Sequence, residues 1–297
     1  SRSFVLTDGR SLLAHGAAVP ATLRWGVTEA RVIHMIDWAA RRDAVGAGVV
    51  LMKHVGQMSD FLLGIGGSHH TLEIMPLIGY RHCGSVTGYV RTLSPLGILQ
   101  RPCGSRWKLA PRVARSVAWT LSAPRADMAG WQARRIGVNE VERIADALPE
   151  SSPGIALFGR GPAHFRHALA CPIVPVELYA LEKTGRAGGY FLLSYAPGQV
   201  RLADLWMISN DPTDWRALVH SAVKEAGRKA GAAELAVWSS DAGLSQVLEE
   251  CGFHERLSLP IYLRSSGDIA IPQERVRVQM LDNDAFYLYF GRNELWA

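Results

Sequence analysis

The chain has 297 residues, 48% of them apolar and 20% charged, which suits a globular protein long enough for two domains and excludes disorder. Its net charge of +5 favours an anionic ligand such as the phosphates of a nucleotide cofactor. The basic residues are spread out and carry no aromatic-basic signature, which argues against nucleic acid. No run of about 18 apolar residues predicts a membrane span.

In chain order, residues 3–6 and 11–19 are apolar runs flanking Asp8-Gly9, a hairpin signal. Residues 30–38, rich in Val and Ile, predict a strand. The glycine-bearing turn Arg41-Arg42-Asp43-Ala44-Val45-Gly46-Ala47-Gly48 then leads to a helix over 49–55. A short buried strand is expected at 61–65, a helix over 71–78 stopping at Gly79, and a strand at 89–93. This alternation is α/β.

Residues 95–150 differ, with Pro95, Pro102, Pro111 and Pro124 and frequent Arg. Residues 108–121 read as a basic amphipathic helix, either lying on a membrane surface or packed as a connector. Residues 138–148 read as a second helix with Asn139 as a possible N-cap. From 151 onward the α/β pattern returns. A hairpin around Thr184-Gly185 joins strands at 176–181 and 189–195, followed by a strand at 200–208 and a helix over 215–230. A strand at 235–238, a helix over 244–251 ended by Gly252 and a strand at 257–263 come next, with 275–280 and 285–290 closing the sheet. The expected organisation is a domain at 1–96, a basic helical connector at 97–150 and a domain at 151–297.

The two halves repeat one plan. Ser68 and Asp241 open short helices, and Gly79-Tyr80 and Gly252-Phe253 close them, each pair 173 residues apart. A recurring supersecondary unit implies duplication of a fold.

The chemistry-bearing motif is the turn at 43–48. Glycines let backbone approach a ligand, and the amides of a loop opening a helix bind phosphate. Neither a G-x-G-x-x-G nor a G-K-[ST] pattern accompanies it. With x-x-x-Gly46-x-Gly48 after a strand, and Ser68, Thr71 and Gly79-Tyr80 downstream, the chain resembles the GNAT acyl-CoA N-acyltransferase superfamily. That superfamily's pyrophosphate loop reads Gln/Arg-x-x-Gly-x-Gly/Ala and is followed by Asn-x-x-Ala and Gly-Phe. The resemblance covers about 2–93 and again about 174–264. It implies two tandem copies of a mixed-sheet α+β fold within the α/β class, as in double-GNAT proteins of bacterial envelope and polysaccharide pathways and in Fem-type aminoacyl transferases.

The resemblance further implies acetyl-CoA or another acyl-CoA held by Ile36, Trp38, Arg41, Arg42, Asp43, Val45, Gly46, Ala47, Gly48 and Ser68. Asp43 stands where Gln or Arg is usual. Met75 and Leu248 stand where the family carries a proton-donating Tyr, and 214–220 lacks glycine, so the second loop reads as degenerate. The first copy lacks the elements that normally precede residue 3. The chain opens at Ser1 without Met, as a trimmed chain would.

His34 on the strand and His69 after the Gly66-Gly67-Ser68 turn are the catalytic candidates, as bases toward an amine. Each also reads as an ordinary strand or turn residue. Glu177 and Asp204 could bind an amine or be structural carboxylates. His164 and His167 share i,i+3 spacing but lack a third ligand, so no metal is expected. Cys83, Cys103, Cys171 and Cys251 are scattered, without a CxxC pair, which suits a reducing cytoplasmic setting.

The expected activity is acyl transfer from acyl-CoA to a small-molecule amine or an envelope or polysaccharide precursor. Two alternatives stay open: a non-catalytic acyl-CoA-binding or scaffold protein, and a Fem-type transferase using aminoacyl-tRNA. Oligomeric state, acyl length and acceptor are not legible in the sequence.

Overall fold

The computed structural model describes residues 2–100, 109–150, 154–267, 269–270, 272 and 275–287. In chain order the first elements are β1 (Arg2–Thr7), β2 (Leu12–Trp25), β3 (Thr28–Ala40), α1 (Ala47–Gly56), β4 (Phe61–Ile65), α2 (His69–Leu77), β5 (Arg81–Thr92) and α3 (Leu109–Ser122). Then come β6 (Gln132–Ile136), β7 (Ile155–Phe158), α4 (Pro162–Leu169), β8 (Val176–Lys183), β9 (Arg186–Ala196) and β10 (Gln199–Met207). Last are α5 (Pro212–Gly227), β11 (Glu234–Ser239), α6 (Ala242–Glu250), β12 (His254–Ser265) and β13 (Arg275–Arg277).

These elements form two compact units that are not contiguous in sequence. One comprises Ser1–Val86, Ser151–Gly159 and Ser258–Val278; the other comprises Thr87–Glu150, Arg160–Leu257 and Gln279–Ala297.

In the first unit, Asp8 Oδ1 accepts from the amides of Arg10 and Ser11, and Gly9 takes a positive φ. This turn folds β1 back antiparallel on β2. β2 pairs antiparallel with β3, and β3 pairs parallel with β4. β4 in turn receives residues 261–265 of β12, antiparallel. β7 pairs with the far end of β2 and carries β13 alongside. One face of the sheet packs Ala18 and Ile33 against Leu51, Met52 and Val55 of α1.

In the second unit Thr184 and Gly185, both at positive φ, make the tight hairpin between β8 and β9. β6 pairs with β8, β9 with β10, and β10 parallel with β11. Residues 87–92 of β5 pair antiparallel with β11. β5 follows α2, yet its second half pairs with β11, and β12 follows α6, yet its second half pairs with β4; β7 and β13 also join the first unit from the second half of the chain. The core of this unit gathers Phe191, Leu193, Val200, Leu202, Leu218, Val237 and Leu248.

Several elements differ from expectation. Residues 138–147 form a 3-10 helix rather than an α-helix, and Asn139 is not its cap. Gly137 precedes that helix, and its amide donates to the Glu140 carboxylate instead. The strand expected at 285–290 is a 3-10 turn at Asp284–Phe286, with 288–290 outside the described residues. The strand expected at 275–280 stops at Arg277, and a 3-10 turn follows at Met280–Asp282. Lys108, the expected start of the connector helix, and Cys103 also lie outside the described residues.

Candidate functional site

The backbone of β3 and β4 creates the feature that matters. Their parallel pairing runs Val32↔Phe61, Ile33↔Leu62 and His34↔Leu63, and then stops. β3 continues through Ala40 on the arm of β2, while β4 ends two residues on, at Ile65. Between Ala17↔Asp37 and Ala18↔Met35 the register shifts, so Ile36 is an extra residue facing none on β2. A bulge of this kind bends a strand and raises its twist. Two neighbouring strands that part at a bulge leave an open edge on β3 beyond His34.

The loop at the end of β3 is braced from within. The Arg41 guanidinium holds Asp43 at 2.8 and 2.6 Å and donates to Ser11 Oγ at 2.9 Å. The Arg41 hydrogen bond, acting first, holds the Asp43 carboxyl below its ordinary range. Asp43 therefore stays ionised, with its charge balanced by the adjacent Arg41. Arg42 is exposed, with no hydrogen bond or ion pair among the described residues.

Gly46 precedes α1 with φ +81°, a conformation that L side chains rarely adopt, and no side chain caps the helix. The Ala47 amide is taken by the Ala44 carbonyl. In α-helix geometry the next amides, those of Gly48 and Val49, have no carbonyl four residues earlier within the helix. Gly48 is required sterically: a Cβ there would stand 2.9 Å from Trp38 Nε1, and the indole itself donates to the Gly48 carbonyl at 3.2 Å. Trp38 is thus a brace under the loop. Val45 projects almost fully into solvent.

Past the end of β4, Gly66 and Gly67 take φ +67° and +134°. Ser68 then caps α2, accepting the Thr71 amide at 3.3 Å and bonding the Thr71 hydroxyl at 2.9 Å. His69 is exposed and lies 3.3 Å from the Glu73 carboxylate. His34 is 1% exposed and engaged by neighbouring groups. Met75 lies against Gly64, where a Cβ would come within 2.6 Å of its methyl.

Tyr80, which matches the aromatic of the Gly-Phe pair, is 4% exposed. Its hydroxyl is buried with no hydrogen-bond partner among the described residues, and burial pushes its pKa well up. A groove of about 330 Å³ lies beside Phe4, Pro20, Arg31 and Met58. Its lining runs along β3 from Arg31 to Ile33, one residue before His34.

The second unit repeats the parting strands but closes the helix end. β10 and β11 pair from Gln199↔Glu234 to Leu202↔Val237, and Ala203 is bulged out against β9. There Asp211 caps α5 through the Thr213 amide at 2.8 Å, and Trp215 Nε1 ties back to the Ser209 carbonyl at 2.8 Å. Asp214 accepts from Trp131 Nε1 at 2.7 Å. A helix end already holding a carboxylate disfavours phosphate.

Asp204, next to that bulge, is fully buried. It is held by Arg160 at 2.9 and 3.0 Å and by the Tyr190 hydroxyl at 2.9 Å. Glu177 accepts from Tyr179 at 2.8 Å and from Tyr195. Both acids are thus paired structural carboxylates. His164 and His167 are exposed on α4, and no group of three or more potential metal ligands lies together among the described residues.

No family model matches the sequence, and no curated protein is similar to it in sequence. Solved structures do share the fold. A GCN5-related N-acetyltransferase from Anabaena variabilis superposes with TM-score 0.57 at 13% identity, covering 89% of this chain and 63% of that one. A probable N-acyltransferase from Enterococcus faecalis gives 0.60 at 14%, covering 89% and 62%. Saccharomyces cerevisiae N-myristoyltransferase, solved with bound myristoyl-CoA and inhibitors, gives 0.58 at 13%, covering 85% and 65%. The fold is therefore of the GNAT type, a mixed α/β architecture. The chain spans less than two thirds of the length of each of these structures.

Proposed function

We propose that the chain is an N-acyltransferase that moves an acetyl or longer acyl group from an acyl-CoA to an amine on a small molecule or on an envelope or polysaccharide precursor. The observation that carries this reading is the uncapped N-terminus of α1, with the exposed Arg42, unpaired among the described residues, beside it, at the end of a strand that has parted from its parallel neighbour. The groups present fit a pyrophosphate: helix amides and the Arg42 guanidinium can donate, and the positive-φ Gly46 leaves no side chain in the way. The likeness to N-acyltransferases adds support at the level of fold, which by itself does not fix activity.

On this reading the two halves are tandem copies of one fold. Gly48, Val49 and Arg42 hold the phosphates, Gly46 and Val45 shape the loop, and Trp38, Arg41 and Asp43 keep it rigid. Ser68 opens the facing helix. The acyl donor supplies an activated thioester. In the transfer an amine nitrogen forms a bond to the carbonyl carbon, the carbon–sulfur bond breaks, the amine loses a proton and the departing thiolate gains one. The open backbone edge of β3 at the Ile36 bulge orients the acyl group. His69, exposed and paired with Glu73, is the accessible base for the amine proton, whereas buried His34 fixes the last rung of the parallel pair.

Met75 at the family's proton-donor position supports a second reading, a protein that binds acyl-CoA without turnover. A thiol-release assay with acetyl-CoA and long-chain acyl-CoA over a panel of amines separates the two. Turnover that falls at least tenfold in His69→Ala is expected for the enzyme. Saturable binding with no thiol release on any amine supports the binding protein. Tight tRNA binding without coenzyme A binding would favour an aminoacyl transferase instead.

A further inference from the structure

Helix α3 uses only one side within its own unit. Leu109, Val113 and Trp119 pack toward Val90 and Ala233, and Ser116 is fully buried. Ala114, Val117, Ala118 and Leu121 are exposed, Leu121 at 82%. At helical spacing these four form one stripe, and it carries no charge.

Cations gather along one flank of that stripe. The Arg115 guanidinium lies 5.0 Å over the Trp119 ring and that of Arg256 5.9 Å from it, while His254 stacks on the same ring at 3.9 Å. Neither Arg115 nor Arg256 has an ion pair to a carboxylate among the described residues. The Arg115 pKa is lowered, first by burial and then by Arg256 and Arg112, so like charges crowd here. The sequence around the helix has the same bias. Residues 74–126 contain no Asp or Glu and eight Lys or Arg, a charge of +8 in a chain of net +5, so the remainder carries −3.

We propose that α3 docks the protein on an anionic lipid surface, with Ala114, Val117, Ala118 and Leu121 at the boundary between headgroups and acyl chains and Arg115 and Arg256 on the headgroup phosphates. The size of the stripe selects this occupant. A stable protein interface buries about 800 Å² per partner, more than four residues with a single well-exposed Leu provide. An interfacial helix needs only shallow apolar burial together with cations facing anionic lipid. No helix among the described residues is long and apolar enough to cross a membrane, so the contact is one of surface docking.

Co-sedimentation of the full chain with phosphatidylcholine vesicles, with and without about 30% phosphatidylglycerol, tests it. Binding is expected only to the anionic vesicles, and about 0.5 M salt should weaken it several-fold. The double variants Val117→Asp/Leu121→Asp and Arg115→Gln/Arg256→Gln should each lower the partition about tenfold, with melting curves confirming that both fold. No binding to anionic vesicles overturns the proposal. So does undiminished binding by the Val117→Asp/Leu121→Asp variant, which would mark a headgroup-phosphate site without insertion. A dimer in solution that this variant dissociates would assign the stripe to a second copy of the chain, and would also overturn it.

Discussion

Arg160 is the residue with most at stake. It is 4% exposed, pairs with Asp204 and, at 2.7 Å, with Asp282, and so ties the 3-10 turn after β13 to β10. Burial acts to lower its pKa, but the two carboxylates override this and raise it well above the ordinary value. Arg160→Met strands two acids in the interior and should cost about 3–5 kcal/mol by urea unfolding. Burial already raises the Asp282 carboxyl, and Arg160 opposes that rise. Without Arg160, folded Asp282 binds its proton more tightly than the unfolded chain does. The variant's deficit should therefore grow as pH rises above the unfolded carboxyl value of about 4 and shrink below it.

His220 carries the opposite sign. Burial first, then the Arg91 charge, lowers its pKa. Stability from the neutral ring is complete above about 6.5 and is lost as pH falls through that value toward the folded pKa. His220→Gln should flatten the dependence of melting temperature on pH between about 5 and 7. Tyr80→Phe removes a buried hydroxyl without a partner among the described residues, and should leave stability unchanged or raise it by about 1 kcal/mol in thermal unfolding. A large loss would mean that the hydroxyl is engaged.

At the scale of elements, the G-x-G turn was legible in the sequence, but its reasons were not. Gly46 is needed for its φ of +81°, and Gly48 because the Trp38 indole lies against it. Trp38 was expected at the cofactor, yet periodicity gives no sign that its indole lies beneath the loop. Gly48→Ala should displace that indole and cost about 1–3 kcal/mol, read as a fall in melting temperature with a change in tryptophan emission. The contrast between α1 and α5 was partly legible. Residues 214–220 lack glycine, which reads as a degenerate loop, whereas the Asp211 cap and the Trp215 tie at that helix end carry no sequence signal of their own. Strands β6 and β7 went unread because Gln132–Ile136 carries two arginines and Ile155–Phe158 is only four residues long. The bulges at Ile36 and Ala203 have no sequence signal, since a single extra residue leaves the apolar pattern intact.

For the whole molecule, two segments 173 residues apart share local features. Ser68 and Asp241 both cap short helices, and Gly79 and Gly252 both end them at positive φ. Each half also carries a parallel strand pair that parts beside a bulge. Periodicity predicts a strand near β5 and near β12, but not that each crosses to pair with the opposite half, because pairing partners are chosen by tertiary packing.

The central claim is that the first unit's loop holds a coenzyme A thioester, and calorimetric titration tests it most directly. Acetyl-CoA and a long-chain acyl-CoA would be titrated into the protein and into Gly46→Trp and Arg42→Glu variants, each checked by circular dichroism to be folded at the titration temperature. Saturable binding by the parent protein, abolished by Gly46→Trp and weakened about tenfold or more by the charge reversal, is the predicted result. No heat with either thioester, or equal affinity in all three proteins, would contradict it.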